Sequence, residues 1–265
     1  MSLLLIDNPL VQRILKKKHN MKNTTILFDL DDTLIHCNKY YKMVIQQFCV
    51  LMLDWFRDYP LTHDEIIGKQ HEIDIDGIEL YGFKAERFPL SFVETYLFFI
   101  RYFTRLSLPT EQQQLLQLGY SVYDFRPEPY PHMIETLSRL QASGCQLCLY
   151  SGGDYANQLR RLHLAGLSPY FQDRIFVTAY KNIDYMNHLI LHQKFERDAT
   201  WMIGNSLKTD ILPAIHSGIH CIYIPTEQEW SYNHATIDIT PVNGYYQISS
   251  LVEVPSTIHS HYHIK

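Results

Sequence analysis

Three carboxylates follow an apolar segment near the start of the chain. Residues 24–28 read Thr-Thr-Ile-Leu-Phe, which is typical of a strand covered on both faces in a parallel sheet. Asp29, Asp31 and Asp32 come directly after it, together with Thr33. Crowded carboxylates repel one another, and a bound cation with an anionic substrate would offset that repulsion. A turn or a helix cap is the alternative explanation, because Asp and Thr are common in both.

A hydroxyl and an ammonium follow two later segments of strand-like sequence. Ser151 precedes Gly152 at the end of one segment, and a small hydroxyl beside open backbone N–H groups at a helix start suits phosphate oxygens. A simple helix cap would use the same residues. Lys181 follows the next segment and would neutralise a phosphoryl group, although a lysine in a loop is often only solvated.

In order and spacing, these residues resemble the four motifs of the haloacid dehalogenase (HAD) superfamily of hydrolases, over about residues 24–225 with one long insertion. The family's fourth motif is Gly-Asp-x-x-x-x-Asp, and here Asn205 replaces its first aspartate. Lys181 lies 24 residues before Asn205, near the family's separation, and Lys194 and Lys208 are weaker candidates. The residues that carry the resemblance are Asp29, Asp31, Thr33, Ser151, Lys181 and Asp210.

The resemblance implies a role for each motif residue. Asp29 would be the nucleophile that forms an aspartyl-phosphate, Asp31 the general acid and base, and Thr33 would orient the loop. Family members that cleave carbon–halogen bonds lack the residue at Asp31, so its presence favours phosphoryl transfer. Ser151 and Lys181 complete the expected catalytic set. The residues expected to bind the phosphate are Leu30, Ser151, Gly152 and Lys181.

The resemblance also implies a magnesium ion, Mg²⁺, which prefers hard oxygen ligands. An amide oxygen of Asn205 could coordinate it but supplies no charge, so either Asp210 coordinates directly or the ion is held more weakly. We favour Asp210 as the main carboxylate ligand, with Asn205 beside it. The expected ligands are the Asp29 carboxylate, the Asp31 backbone carbonyl, Asn205 and Asp210.

The elements that must position these residues form an α/β pattern. Strand and helix patterns alternate in the second half of the chain, which predicts a Rossmann-like parallel sheet whose strands all end at one edge. We assign this core to residues 23–37 and 128–265. Residues 38–127 predict an inserted, mainly α-helical cap, with a less regular stretch at 71–87, and such a cap would exclude water and select the substrate. Residues 1–22 read as an N-terminal extension.

Two smaller groups of residues have open interpretations. The residues that border the hinges could touch a substrate or only pack there; they are Tyr40, Tyr41, Lys42 and Arg126. Towards the C-terminus, residues 236–241 or 251–254 could add short strands. His259, His261 and His263 alternate and could bind a metal on an extended segment, but we favour a solvated tail.

The composition and the remaining sequence patterns restrict the cellular compartment and the binding partners that we expect for this protein. The 265 residues are 46% hydrophobic and 19% charged, with a net charge of -5, which fits a globular protein without a nucleic-acid surface. No stretch has the order of a signal peptide or the length of a membrane span. Cys145 and Cys148 lie three apart on a predicted strand, so we expect them to be buried on opposite faces rather than to act together. A cytoplasmic enzyme acting on a small phosphorylated metabolite is the resulting prediction.

Two rival functions share these residues. A phosphomutase of the same superfamily would keep all of them and differ in how well its cap excludes water. A binding or regulatory module with decayed catalysis would explain Asn205, although such a module would have little reason to keep the other motif residues together.

Overall fold

A six-stranded, wholly parallel sheet forms the centre of the computed structural model, which describes residues 21–227 and 230–263. The strands lie in the order β3-β2-β1-β4-β5-β6. Most of the predicted N-terminal extension lies outside the described residues. The strands are β1 (Thr25–Phe28), β2 (Gln146–Gly152), β3 (Ile175–Thr178), β4 (Thr200–Gly204), β5 (His220–Tyr223) and β6 (Tyr245–Gln247).

Ten helices surround or extend this sheet among the described residues. Among those residues, no helix combines the length and the apolar character needed to cross a bilayer. The helices are α1 (Asn38–Trp55), α2 (His63–Tyr81), α3 (Arg87–Tyr102), α4 (Pro109–Tyr120), α5 (Met133–Ala142), α6 (Tyr155–Leu164), α7 (Ser168–Phe171), α8 (Ile183–Gln193), α9 (Leu212–His216) and α10 (Val254–His263).

Strand β1 lies at the middle of the sheet, between β2 and β4. Its side chains alternate between two apolar clusters: Ile26 and Phe28 face one, and Leu27 faces the other. This two-sided burial explains the continuous apolar run in the sequence. The same alternation places Cys145 in the first cluster and Cys148 in the second, which confirms that these two thiols are buried apart.

Helices α1 to α4 form the inserted cap, which has a hydrophobic core of its own. Its centre is aromatic, with the Phe48 and Phe92 rings stacked at a centroid distance of 4.3 Å. A capping box begins α2, where Thr62 and Glu65 satisfy each other's backbone N–H groups. The α/β core with a helical cap is therefore confirmed as the fold.

The stretch at 71–87 is more regular than the sequence predicted. Helix α2 runs to Tyr81 without interruption, although it contains Gly68 and Gly77. A side chain at Gly77 would meet the Arg87 guanidinium at 2.8 Å. This glycine therefore serves close packing and does not mark a break in the helix.

The C-terminal region also differs from the prediction. Residues 236–241 form no strand, and 251–254 begin the helical end of the chain, whereas the edge strand is β6. The three late histidines lie on α10 and not on a solvated tail, because this helix packs on the core through Ile258 and His261. The His261 ring contacts Trp201 edge-on at 5.2 Å between centroids.

Candidate active site

Asp29 lies at the carboxyl end of the central strand. Its N–H donates to the Ile203 carbonyl at 2.9 Å, which extends the pairing with β4 by one residue. One carboxylate oxygen accepts from the Thr33 hydroxyl at 2.9 Å, and the other accepts from the Lys181 ammonium at 2.5 Å. Both carboxylate oxygens are thus held in fixed directions.

Lys181 bridges two buried carboxylates. Its ammonium also pairs with Asp210, and the exposed fraction is 5% for Lys181 and 0% for Asp210. Burial lowers the pKa of Lys181, but Asp210 and Asp29 outweigh this effect and raise it. Burial raises the pKa of Asp29, and the Lys181 ammonium opposes that rise. The lysine therefore stays charged and supplies the positive charge expected at this position.

A turn of π-helix after β4 presents Asp210. The N–H groups of Asp210 and Ile211 both donate to the Ser206 carbonyl at 3.1 Å, which is the wide turn of a π-bulge. The second Asp210 oxygen accepts from the Ser206 N–H at 2.9 Å. A side chain at Gly204 would come within 2.1 Å of Asp210. The glycine of the fourth motif therefore leaves the space that this carboxylate fills.

Asn205 and Asp29 both contact the hydroxyl of Thr33. The Thr33 hydroxyl lies 3.3 Å from the Asn205 amide oxygen and 2.9 Å from Asp29. It has one proton for two acceptors, so the amide oxygen of Asn205 keeps capacity for another partner.

Ser151 and Asp31 are connected by a glutamine that sequence reasoning missed. The Gln158 amide on α6 donates to Asp31 at 2.8 Å, to the Ser151 hydroxyl at 3.1 Å and to the Gly152 carbonyl at 2.7 Å. Arg161, one turn further along the helix, pairs with Asp31 at 2.5 Å. Their places on the helix that opens after Ser151-Gly152-Gly153 offered a signal, but the direction of their side chains depends on the helix rotation.

Asp32 links the catalytic loop to the cap. Its two oxygens accept from the N–H groups of Cys37 and Asn38, both at 2.9 Å, at the start of α1. Its φ of 56° lies in the left-handed region, which Asp tolerates better than most residues. Burial raises the pKa of Asp32 to about 6, although these two N–H groups lower it.

A cavity of about 370 Å³ lies between the core and the cap. Asp29, Ser151, Lys181 and Asp210 all line it. Leu30 buries its side chain in the core, so only its backbone could meet a phosphate. On the cap side the Phe83 ring packs over Gly152, where a side chain would be 2.9 Å away.

The cap also contacts the loop that carries Lys181. The Phe83 N–H donates to the Ala179 carbonyl at 2.8 Å, and the Tyr180 hydroxyl donates to the Leu80 carbonyl at 3.1 Å. Gly82 has a φ of +76°, and a side chain there would lie 2.6 Å from the Ala179 carbonyl oxygen. The cap loop therefore lies against the part of the cavity formed by Gly152 and the loop that carries Lys181.

Of the remaining residues that the sequence singled out, some line the cavity and others pack at the hinge. Tyr41 and Lys42 line the cavity. Tyr40 instead stacks on Phe125 at 4.7 Å between ring centroids, and its hydroxyl contacts the Arg126 carbonyl at 3.5 Å. The other lysine candidates lie elsewhere: Lys208 pairs with Glu79 of the cap at 3.9 Å, and Lys194 ends α8.

The donor set fits a hard cation. Asp29, Asn205 and Asp210 supply side-chain oxygens to one part of the cavity, and oxygen ligands are what magnesium prefers. Lys181 offsets only one of the two carboxylates that it touches, which leaves net negative charge for a cation to balance.

Comparison with known proteins agrees with this fold. Residues 24–218 match the model of the haloacid dehalogenase-like hydrolase family, and the chain belongs to this family. It is 23% identical over 240 residues to a glyceraldehyde 3-phosphate phosphatase of Methanothermobacter thermautotrophicus, covering 86% of this chain and 98% of the relative. It is 24% identical over 207 residues to a protein of the same name from Methanocaldococcus jannaschii, covering 75% and 83%. Together, the family and these relatives support a phosphatase enzyme.

Solved structures show the same fold at low sequence identity. A haloacid dehalogenase-like hydrolase from Xanthomonas campestris matches with a TM-score of 0.74 at 20% identity, covering 91% of this chain and 93% of the other. A magnesium-bound HAD-hydrolase from Bacillus subtilis, YfnB, matches with a TM-score of 0.61 at 20% identity, covering 90% and 99%.

Proposed function

We propose that this enzyme hydrolyses a small phosphorylated metabolite in a magnesium-dependent reaction through an aspartyl-phosphate on Asp29. The observation that carries the proposal is the convergence of Asp29, Ser151, Lys181 and Asp210 on one cavity beneath the cap. A nucleophile, a hydroxyl, an ammonium and a second carboxylate are the groups that phosphoryl transfer from a monoester requires.

The contacts of each residue support its role. The Thr33 hydroxyl and the Lys181 ammonium hold the Asp29 carboxylate, so that an oxygen can attack phosphorus while the ester oxygen leaves. Asp31 would give a proton to that leaving oxygen and later take one from the water that cleaves the aspartyl-phosphate. Lys181 and the N–H groups near Ser151 would bind the phosphoryl oxygens throughout.

We propose magnesium as the cofactor. It would be held by the Asp29 carboxylate, the Asp31 carbonyl, Asn205 and Asp210, and when bound it neutralises charge on the phosphoryl oxygens. The structure gives both Asp210 oxygens a protein donor, each with a lone pair to spare. Support also comes from the magnesium-bound state of YfnB.

The division of the chain is part of the proposal. Residues 23–37 and 128–265 would form the catalytic core, and 38–127 the cap that excludes water from the aspartyl-phosphate.

A reducing compartment such as the cytoplasm suits the five buried, unpaired cysteines.

Short phosphorylated aldehydes and sugars are the first substrates to test, since both curated relatives are named for glyceraldehyde 3-phosphate. A panel of such monoesters, with an aryl phosphate for reference, would be incubated with magnesium and with a chelator. We expect release of inorganic phosphate with magnesium only. Transfer of the phosphoryl group between hydroxyls without release would favour the phosphomutase.

The Asp29→Asn variant distinguishes the proposed enzyme from the alternative, a binding module with decayed catalysis. We expect the variant to lose turnover while the fold and phosphate binding persist. An unchanged function in this variant, or ligand binding without turnover in the wild type, would favour the module.

A further inference from the structure

One face of α2 lines the cavity from the cap side. Residues Ile67, His71, Asp74 and Ile78 line it, and their spacing of four, three and four places them on one side of a helix. The cap also contributes apolar side chains to the cavity. They include Ile45 and Phe88.

Asp74 differs from the other carboxylates of this cavity. In the described part of the chain, each of the others contacts a donor: Asp29 and Asp210 contact Lys181, Asp31 contacts Gln158 and Arg161, Asp32 contacts Cys37 and Asn38, and Asp154 contacts Asn157. Within residues 21–227 and 230–263, no hydrogen bond or ion pair reaches Asp74.

Arg87 is the cation whose charge acts on Asp74; its terminal nitrogens are paired, whereas its buried Nε–H has no hydrogen-bond partner among the described residues. Arg87 binds Glu94 with both terminal nitrogens, at 3.2 and 3.1 Å. Burial raises the pKa of Asp74 to about 7, and the charge of Arg87 lowers it only in part. A carboxylate among apolar walls without a donor is costly, and a ligand group that donates a hydrogen bond would remove that cost.

We propose that Asp74 binds the leaving group of the substrate, and that this group carries a hydrogen-bond donor, a hydroxyl or an ammonium, at its end away from the phosphate. The inference rests on the proposed phosphatase function. A site built to bind a polar group discriminates strongly against an analogue that lacks it, so Asp74 would set substrate specificity from the cap while the core performs the chemistry.

Three series of alkyl phosphates with chains of two to five carbons test this role. One series ends in methyl, one in hydroxyl and one in ammonium, and kcat/KM is measured for each. We expect the best donor-bearing substrate to exceed its methyl counterpart by about tenfold or more in the wild type. Asp74→Leu should reduce this ratio to near one.

Asp74→Asn distinguishes the two donors. It keeps an acceptor oxygen but removes the charge, so a preference for hydroxyl should survive in part, whereas a preference for ammonium should vanish. Asp76→Asn is the matched control, because Asp76 is exposed on the same helix. A donor-to-methyl ratio that is the same in the wild type and in Asp74→Leu would overturn the inference.

An aryl phosphate keeps this test separate from the proposed function. If neither the aryl phosphate nor any alkyl phosphate is hydrolysed, the phosphatase proposal fails. If the aryl phosphate is hydrolysed but the ratio does not depend on residue 74, only the role of Asp74 fails.

Thermal stability tests whether Asp74 has a structural role instead. A carboxyl group with a raised pKa in the folded state loses stability as pH rises, so Asp74→Asn should raise Tm at pH 8 and raise it less at pH 5. A lower Tm in the variant at pH 8 would show that Asp74 stabilises the fold through Arg87, and would overturn the inference.

Discussion

The Lys181 ammonium joins two buried carboxylates. It touches Asp29 and Asp210, and all three side chains are almost inaccessible to solvent. Without it, two carboxylates would face each other in a site of low polarity, where an unpaired charge is strongly destabilising. The same residue therefore matters for folding and for chemistry.

Lys181→Met should lower the free energy of unfolding by about 3–5 kcal/mol at pH 8. The loss should shrink at pH 5, because Asp29, whose pKa burial raises to about 7 in the folded state, takes up a proton there and the repulsion disappears. Thermal unfolding at both pH values measures this. Lys208→Met is the control, since its pair with Glu79 is exposed and should contribute less than about 1 kcal/mol. An equal loss at both pH values would contradict the electrostatic explanation.

Gln158→Leu tests the positioning of Asp31. The variant keeps the approximate volume but removes the donor that joins Asp31 to Ser151, and we expect kcat for alkyl phosphates to fall by about 10–100-fold. An aryl phosphate, whose leaving oxygen needs no proton, should lose much less. Leu164→Ala, exposed on the same helix, should leave both rates unchanged. Equal losses for the two substrates would argue for a general structural defect.

Asn205→Asp tests the departure from the family motif. A carboxylate at this position would add charge to the proposed ligand set, so the magnesium concentration that gives half of maximal activity should fall. Titration of magnesium against phosphate release measures it. An unchanged or raised requirement would count against Asn205 as a ligand.

Residue spacing predicted the convergence of Asp29, Ser151 and Lys181 well, because parallel strands end at one edge and motif residues follow strand ends. The roles of Gln158 and Arg161 could not be predicted in this way. Their contacts depend on how α6 is rotated against the sheet, and that rotation is set by packing and not by the local sequence.

At the scale of elements, Asp32 fixes where the first cap helix begins. Its carboxylate accepts the two N–H groups at the start of α1, which otherwise have no intrahelical partner. Because the same loop carries Asp29 and Asp31, the start of the cap and the position of the proposed nucleophile depend on one turn.

Asp32→Ala should lower the free energy of unfolding by about 2–3 kcal/mol. This combines a lost cap, worth about 1 kcal/mol, with a left-handed backbone that costs Ala about 1–2 kcal/mol. Asp32→Asn keeps an acceptor and tolerates that backbone, so its loss should be smaller. Chemical denaturation of both variants measures the difference, and equal losses would contradict this explanation.

The core elements followed their sequence patterns, whereas helix α2 and the C-terminal region did not. Gly77 and Gly82 suggested irregular structure at 71–87, but Gly77 lies inside α2 against the Arg87 guanidinium and Gly82 directly follows the helix. Strand β6 contains only Tyr245–Gln247, which is too short for alternation to be visible. For both α2 and β6, contacts between residues that are apart in sequence determine the structure, and the local sequence pattern does not show them.

At the scale of the whole molecule, the cap and core meet through the loop around Gly82. Its backbone lies against Ala179, and the neighbouring Phe83 covers Gly152. The cap surface proposed to select the substrate is therefore in direct contact with the loops proposed to bind the phosphoryl group.

Gly82→Ala should loosen this contact, because a side chain would clash with the Ala179 carbonyl and the positive φ would cost about 1–2 kcal/mol. We expect faster amide hydrogen exchange at Phe83 and a lower kcat/KM for the metabolite substrate. Gly68→Ala, where a side chain meets nothing within 4 Å, should leave exchange at Phe83 unchanged. Unaltered exchange in Gly82→Ala would contradict the contact.

The last helix returns to the opposite side of the sheet from the cavity. The Tyr262 hydroxyl accepts from Thr24 at 3.3 Å and from the Trp201 indole at 3.1 Å, and Thr24 directly precedes β1. Residues near His263 therefore lie behind the amino ends of the strands. A dye, bead or fusion partner attached there would leave the mouth of the cavity open to substrate, so the immobilised enzyme should retain its turnover.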